Sequence, residues 1–188
     1  MTSEIWLSPR TGDFDWRLSI ATVDSDALFS TFPGVDRCLL ALSKGLELVD
    51  EGQSVRLGAF ESHCFAGENE VASANVTRPT LDLNLMTRRG RCSGTVETHR
   101  VSGRWSNTAM PGESIVIVIA EGRLAVGSER LTVLDAILLD GCASASASAV
   151  DTDTVELIGI GQIAVVRVVR AAHSDSTREL GHAQQNVP

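Results

Sequence analysis

Two short stretches place polar side chains at alternate positions among large apolar ones. In "FDWRLSIATV" Arg17 and Ser19 alternate with Trp16, Leu18 and Ile20, and in "LDLNLM" Asp82, Asn84 and Met86 alternate with Leu81, Leu83 and Leu85. A strand shows every second residue on one face, so each stretch offers a row of polar groups to one side of a sheet. An arginine with an amide and a hydroxyl nearby can hold a small anion. The guanidinium fork grips a carboxylate with two bonds, and the others take up its remaining oxygens. With Met86 and Phe32 as apolar walls, such a cavity suits a small dicarboxylate or an imidazole acid. Parity leaves a second placement open, in which the same rows face bulk water. Buried without partners, they would cost roughly 1–3 kcal/mol each.

A second cation stands in "FPGVDR", where Asp36 and Arg37 precede the apolar run "CLLAL". Arg37 shares parity with Leu39 and Ala41, opposite Cys38, Leu40 and Leu42. Two roles are open: Asp36 and Arg37 pair with each other and pin the turn, or Arg37 holds a ligand carboxylate with Arg17 as second cation and Asn84 as amide partner.

Other chemistries find little support. "GIGQIA" (159–164) fits a dinucleotide-binding pattern, but that motif needs a helix next, and "VVRVV" follows. The glycines are expected to form a hairpin turn. His63, His99, His173 and His182 lack the paired spacing of metal ligands, and His63, Cys64 and Glu68 are the nearest to a cluster. No nucleophile elbow is present. No metal or cofactor is expected.

Sixteen basic against twenty-four acidic residues give a net charge of −8, which argues against a nucleic-acid partner. The "TRRGR" cluster at 87–91 reads as a solvated strand end. Cys38, Cys64, Cys92 and Cys142 form no CxxC pair. With no signal-peptide pattern and no apolar run near the ~18 residues of a membrane span, the expectation is a cytoplasmic protein with four reduced thiols and no membrane partner.

Those side chains need a frame, and strand signals supply it. "SIVIVIAEGRLAV" and "QIAVVRVVRA" are β-branched and bounded by glycine. A helical period is absent, apart from a short turn in "VDSDALFSTF". The class is all-β. The stretch from Leu40 matches that from Ile117, with Gly45 on Gly122, Leu57 on Val133 and Gly67 on Gly141. This weak duplication predicts two small jelly-roll-like β-barrels in tandem: residues 1–105, then 106–170, with a disordered tail at 171–188. "ASASASA" (143–149) reads as a floppy loop.

The segments at 14–17, 29–37 and 82–90 carry a resemblance. They are similar to the HutD/Ves family in a Phe-Asp-Trp-Arg strand, a Phe-Ser-x-Phe-Pro-Gly-Val-Asp-Arg segment, and an Asp-Leu-Asn-Leu-Met strand leading to Arg-Arg-Gly. The resemblance implies a bicupin without the metal-binding histidines of enzymatic cupins. It also implies a link to bacterial histidine utilisation, with urocanate or N-formylglutamate as ligand, while the Ves branch is linked to stress or cold. A Pro-Trp-Lys-Asn-Gly-Gly-Gly stretch usual in the family does not precede "TSEI", and a start placed too far downstream is the expected cause.

The leading expectation is a non-catalytic, metal-independent regulator that binds a small anionic metabolite through Arg17, Ser19, Phe32, Arg37, Asp82, Asn84 and Met86. One rival is an enzyme acting on a small acid, with Asp82 or Glu47 moving a proton. The other is a structural or stress-response protein without ligand, its apolar strands forming a homodimer.

Overall fold

A computed structural model describes residues 2–9, 12–141 and 153–171. The expectations for 143–149, and for the tail beyond Ala171, lie outside the described residues. Among those residues there are fourteen strands and no helix, so no helix is long and apolar enough to cross a membrane. In chain order they are β1 (Thr2–Ser8), β2 (Trp16–Val23), β3 (Ala27–Leu28), β4 (Val35–Ala41), β5 (Leu46–Asp50), β6 (Gln53–Leu57) and β7 (Ser62–Ala66). There follow β8 (Val71–Ala74), β9 (Thr80–Arg88), β10 (Cys92–Ala109), β11 (Glu113–Val126), β12 (Glu129–Leu131), β13 (Ala136–Asp140) and β14 (Asp153–Arg170). The segment "VDSDALFSTF" holds the two-residue β3 rather than a helical turn.

Three sheets result: β1-β2-β9-β4-β7, β3-β8-β5-β6, and β10-β14-β11-β12 with β13 also on β11. The first two face each other across Leu39, Ala41, Leu46, Leu48, Phe65 and Val71, which makes the first barrel unit. The outer face of the first sheet packs Trp16, Leu18, Ile20, Leu40, Leu83 and Leu85 against Val116, Val118, Val166 and Val168 of the third. The other face of the third sheet buries Ile115, Ile117, Ile119, Leu157 and Ile163. A sheet buried on both faces needs apolar residues at both parities, and β4 has them. The sequence boundary at 105/106 falls inside β10, every residue of which pairs with β14.

The glycines of "GIGQIA" do not turn the chain. β14 runs through them without a break, and a Cβ on Gly159 would lie 2.3 Å from the Arg123 carbonyl oxygen of β11. They let β14 and β11 approach closely beside a register shift between Ile119 and Glu121, so the expected hairpin is corrected to a close approach within a strand.

The duplication is real at one frame. Gly67 N–H donates to Val35 O, and Phe32 N–H to Gly67 O; likewise Gly141 N–H donates to Glu113 O, and Gly112 N–H to Gly141 O. A Cβ would lie 2.4 Å from Phe32 O at Gly67 and 2.0 Å from Met110 O at Gly141. "FPGVD" therefore repeats as "MPGES". The register differs from the expected one by a residue: Leu40 faces the core between the units with Val118, whereas Ile117 faces the second unit's interior with Ile115. A one-residue slip exchanges the faces of a strand, so Leu40 corresponds to Val118. In place of the expected turn at Gly122, β11 continues in register with Gly161, just past a shift between Ile119 and Glu121.

The four thiols are also corrected. Cys38 and Cys64 are joined by a disulfide between the paired strands β4 and β7; Cys92 is free and buried, and Cys142 lies outside the described residues.

Candidate functional site

Antiparallel pairing of β2, β9 and β4 sets the inward side chains in rows. Arg17, Met86 and Arg37 form one; Ser19, Asn84 and Leu39 the next; Ala21, Asp82 and Ala41 the third. Phe65 of β7 extends the first row beyond Arg37. The opposite parity of each strand is the apolar face in the core between the units, so the polar rows have to point into the first barrel. The β8 strand and the 24–32 segment close the space over them. There the Ser73 hydroxyl accepts from Ala27 N–H at 3.0 Å and donates to Ser25 O at 3.0 Å.

The cavity, open to solvent on one side, has a volume of about 330 Å³. Arg17, Ser19, Phe32, Arg37, Asp82, Asn84 and Met86 all line it, so the outward placement of the rows is excluded. Thr2, Ser25, Phe29, Ser30 and Ser73 line it as well.

Arg37 is the centre of this site. It is 5% exposed, and its guanidinium carbon lies 4.9 Å from the Phe65 ring centroid, 5.6 Å from that of Phe32 and 5.7 Å from that of Phe29. Nη1 donates to Ser30 O at 3.0 Å, while Nε has no partner among the described residues. Burial depresses the guanidinium to about 10, more than Asp82 across the cavity can restore, and the neighbouring Arg17 depresses it further. Faces of aromatic rings stabilise a cation but leave the N–H edge of the fork free.

The rest of the lining is uneven. Arg17 is held by Glu4, with Nε to Oε2 at 3.0 Å. Asn84 is 8% exposed, and its Oδ1 has no partner among the described residues. Asp82 is 3% exposed and accepts from Ala21 N–H at 3.2 Å. Burial pushes its carboxyl up to about 6, against that hydrogen bond and the pull of Arg37. Glu47 lies outside the cavity, on β5 with Ser54 and Arg56, and the Ser54 hydroxyl holds its carboxyl below the usual range.

The Asp36–Arg37 pair does not form. Asp36 points outward to Arg89 Nε at 2.6 Å, and Arg89 grips Glu68 with both Nη atoms at 2.7 Å. Glu68 in turn accepts from Gly34 N–H at 2.8 Å. The acid and base of "FPGVDR" thus divide their work: Asp36 ties the turn to the strand end, and Arg37 enters the cavity. "TRRGR" is the exposed end of β9, as expected, and it also serves as a clamp, with Arg91 on Asp15 and Arg88 on Phe14 O. His63 is not isolated: it bonds Asp50 at 2.8 Å and stacks on Phe65. Among the described residues, no three His, Cys, Asp or Glu side chains are grouped to hold a metal.

Sequence reasoning missed Phe29 and Phe65. Phe29 stands in the quoted "FSTFPG", three residues before Phe32. Phe65 was reachable through the Gly67–Gly141 match, which places a strand just before Gly67.

The second unit has a cavity of about 250 Å³ at the equivalent rows, lined by Thr95, Glu97, His99, Trp105, Asn107 and Arg167 among others. Here Ile115 stands where Arg37 stands in the first unit, and Arg167 where Met86 stands, since Ile115 pairs with Arg167 as Arg37 pairs with Met86. Arg167 is taken up by Glu113 and Asn107.

Residues 1–157 match the family model for HutD. Protein Ves of Citrobacter koseri is 38% identical over 128 residues, covering 66% of this chain and 64% of that protein. Protein Ves of Cronobacter sakazakii is 38% identical over 122 residues, covering 63% of this chain and 66% of that one. The chain thus spans somewhat under two thirds of these relatives' length. In structure, HutD from Pseudomonas fluorescens SBW25 superimposes with a TM-score of 0.74 at 23% identity, over 91% of this chain and 89% of that one. A conserved protein of unknown function from Pseudomonas aeruginosa PAO1 gives 0.73 at 22% identity, over 90% and 91%. A Cupin 2 conserved barrel domain protein from Leptotrichia buccalis gives 0.56 at 7% identity, over 91% and 88%. At such identities the likeness establishes the fold alone, a cupin fold in two units. With the family model matched over most of its length, this bicupin chain belongs to the HutD family.

Proposed function

We propose that the protein is a non-catalytic receptor for a small acid of histidine breakdown, urocanate or N-formylglutamate, and acts as a regulator of that pathway. Family membership supplies the pathway, and the cavity supplies the chemistry. The observation that carries the reading is Arg37: a guanidinium 5% exposed, set among three phenylalanines, with no ion pair and no partner for its Nε among the described residues. A buried cation without a counter-ion is costly, and a carboxylate ligand removes that cost. Asp82, two rows from Arg37, favours urocanate of the two. Its ionised carboxylate accepts an imidazole N–H but repels a second carboxylate.

One observation favours a second reading. A carboxyl raised to about 6 is suited to proton transfer near neutrality, so Asp82 is the candidate base of a metal-independent enzyme. Its fixed bond to Ala21 and the absence of a second proton carrier in the rows make binding the better account.

The test is a thermal-shift and calorimetric titration with urocanate, N-formylglutamate, formiminoglutamate, glutamate and histidine on the wild type and Arg37→Gln. A ligand at 100 times its dissociation constant adds about 2.7 kcal/mol of stability. Binding by the wild type and its loss in Arg37→Gln is the expected result. Equal binding by both removes Arg37 from the site, and consumption of any acid in the same samples establishes turnover instead.

A further inference from the structure

We propose that the Cys38–Cys64 disulfide is a redox-sensitive clasp that sets the affinity of the Arg37 cavity for its acid. The inference rests on the reading of that cavity as a ligand site. It starts from position. Cys38 and Cys64 face each other across β4 and β7, their Cα atoms 4.1 Å apart, and the next pair on the ladder is Arg37 with Phe65. Phe65 is the ring nearest the Arg37 guanidinium, at 4.9 Å. The covalent bond therefore fixes the strand that carries this ring to the strand that carries the cation.

The β7 strand needs that tie more than its neighbours do. It lies at the edge of the sheet and, among the described residues, pairs only with β4. Of its five residues only Phe65 is buried, so few side chains anchor it. An edge strand of this length held on one side opens more easily than a central one. With the bond cut, the ladder, the Gly67 hydrogen bonds and the His63–Asp50 contact remain. The fold persists while Phe65 gains freedom over Arg37.

The bond is also accessible. Cys64 is exposed, whereas Cys38 is 5% exposed, so a reductant reaches the Cys64 sulfur first. A thiolate of a dithiol reductant attacks Cys64 Sγ, the S–S bond breaks, and Cys38 leaves as a thiolate. The reductant's second thiol then displaces Cys64 and closes the reductant's own disulfide. Two electrons pass to the protein sulfurs, the two protons of the dithiol end on Cys38 and Cys64, and the reductant is oxidised by the same two electrons.

The experiment compares the full chain, oxidised and treated with dithiothreitol, with Cys38→Ser/Cys64→Ser. Alkylation and peptide mapping report the state of Cys38 and Cys64. Hydrogen exchange follows the amides of 62–66 against those of β1, and calorimetry measures urocanate binding. Reduction is expected to expose both sulfurs to alkylation, speed exchange at 62–66 but not in β1, and weaken urocanate by about tenfold. That is the effect of losing one ring over a desolvated cation. The double variant should match the reduced protein and ignore dithiothreitol. Equal affinity in both redox states overturns the clasp, as does failure to find the two cysteines bonded in the oxidised protein. If no acid binds in either state, the ligand reading fails by itself. Exchange at 62–66 then decides the clasp: unchanged rates overturn it, and a rise confined to β7 supports it.

Discussion

Arg37 and Asp82 share one cavity from adjacent strands, two rows apart, and do not touch as an ion pair. Burial moves each toward its neutral form, Arg37 down to about 10 and Asp82 up to about 6. Each charge offsets only part of the other's desolvation, so both ends of the cavity carry a burial cost. That cost is where stability, pH and ligand choice meet.

Asp82 makes the protein more stable in mild acid. A carboxyl with a folded value near 6 against 3.8 for the free group binds its proton more tightly in the folded state. The stability it contributes is full below about 3.8 and lost as pH rises through about 6, a change on the order of 3 kcal/mol. Asp82→Asn keeps the acceptor for Ala21 N–H and removes the charge. Urea unfolding at pH 4, 6 and 8 should show the variant more stable than wild type at pH 8, by ~2–3 kcal/mol, with the gap closing toward pH 4. A gap independent of pH would sink the assignment.

The same carboxylate sorts ligands by their far end. Glutarate carries a second carboxylate and should bind better as Asp82 takes up its proton, by about tenfold between pH 8 and pH 6. Asp82→Asn should bind glutarate equally at both. Calorimetry in matched ionic strength checks this. A flat profile for the wild type would place glutarate away from Asp82.

How far the sequence reached depended on locality. The parities of β2 and β9 were legible because apolar and polar residues alternate cleanly, and Leu18 and Asn84 could not exchange faces without burying the wrong set. Arg37 was legible only to parity: β4 is apolar on both sides, and what decides its direction is the sheet stacked behind it. The Asp36–Arg89 and Arg37–Phe65 contacts join segments 53 and 28 residues apart, where no pattern along the chain speaks. Glycine misled in "GIGQIA" because a residue without a side chain serves a turn and a close strand crossing equally well.

Gly67 and Gly141 offer a matched pair of substitutions. An added Cβ would lie 2.4 Å from Phe32 O in the first unit and 2.0 Å from Met110 O in the second. Both alanine variants should lose stability, by ~2–4 kcal/mol. Only Gly67→Ala displaces Phe32, a wall of the cavity, so only it should also weaken acid binding. Loss of binding in both, measured below their unfolding temperatures, would show that the units do not act separately.

Buried Arg37 and half-buried Arg167 separate a binding cavity from a structural one. Arg37 keeps an unpartnered Nε, whereas Arg167 is engaged by Glu113 and Asn107. Arg167→Gln leaves Glu113, whose side chain is 18% exposed, without its cation, and should cost ~1–3 kcal/mol in unfolding free energy. Because that arginine already spends its donors on the protein, urocanate affinity should stay within about twofold, well under the 1.4 kcal/mol of a tenfold change. Arg37→Gln should do the opposite. It removes a desolvated charge at little cost to stability and weakens urocanate by at least about 100-fold, as when a buried charge pair loses one partner. Calorimetry and urea unfolding on the two variants give four numbers, and the crossed pattern is the expected one. The reverse pattern would move the ligand to the second unit, where Arg167 occupies the row position that Met86 holds in the first.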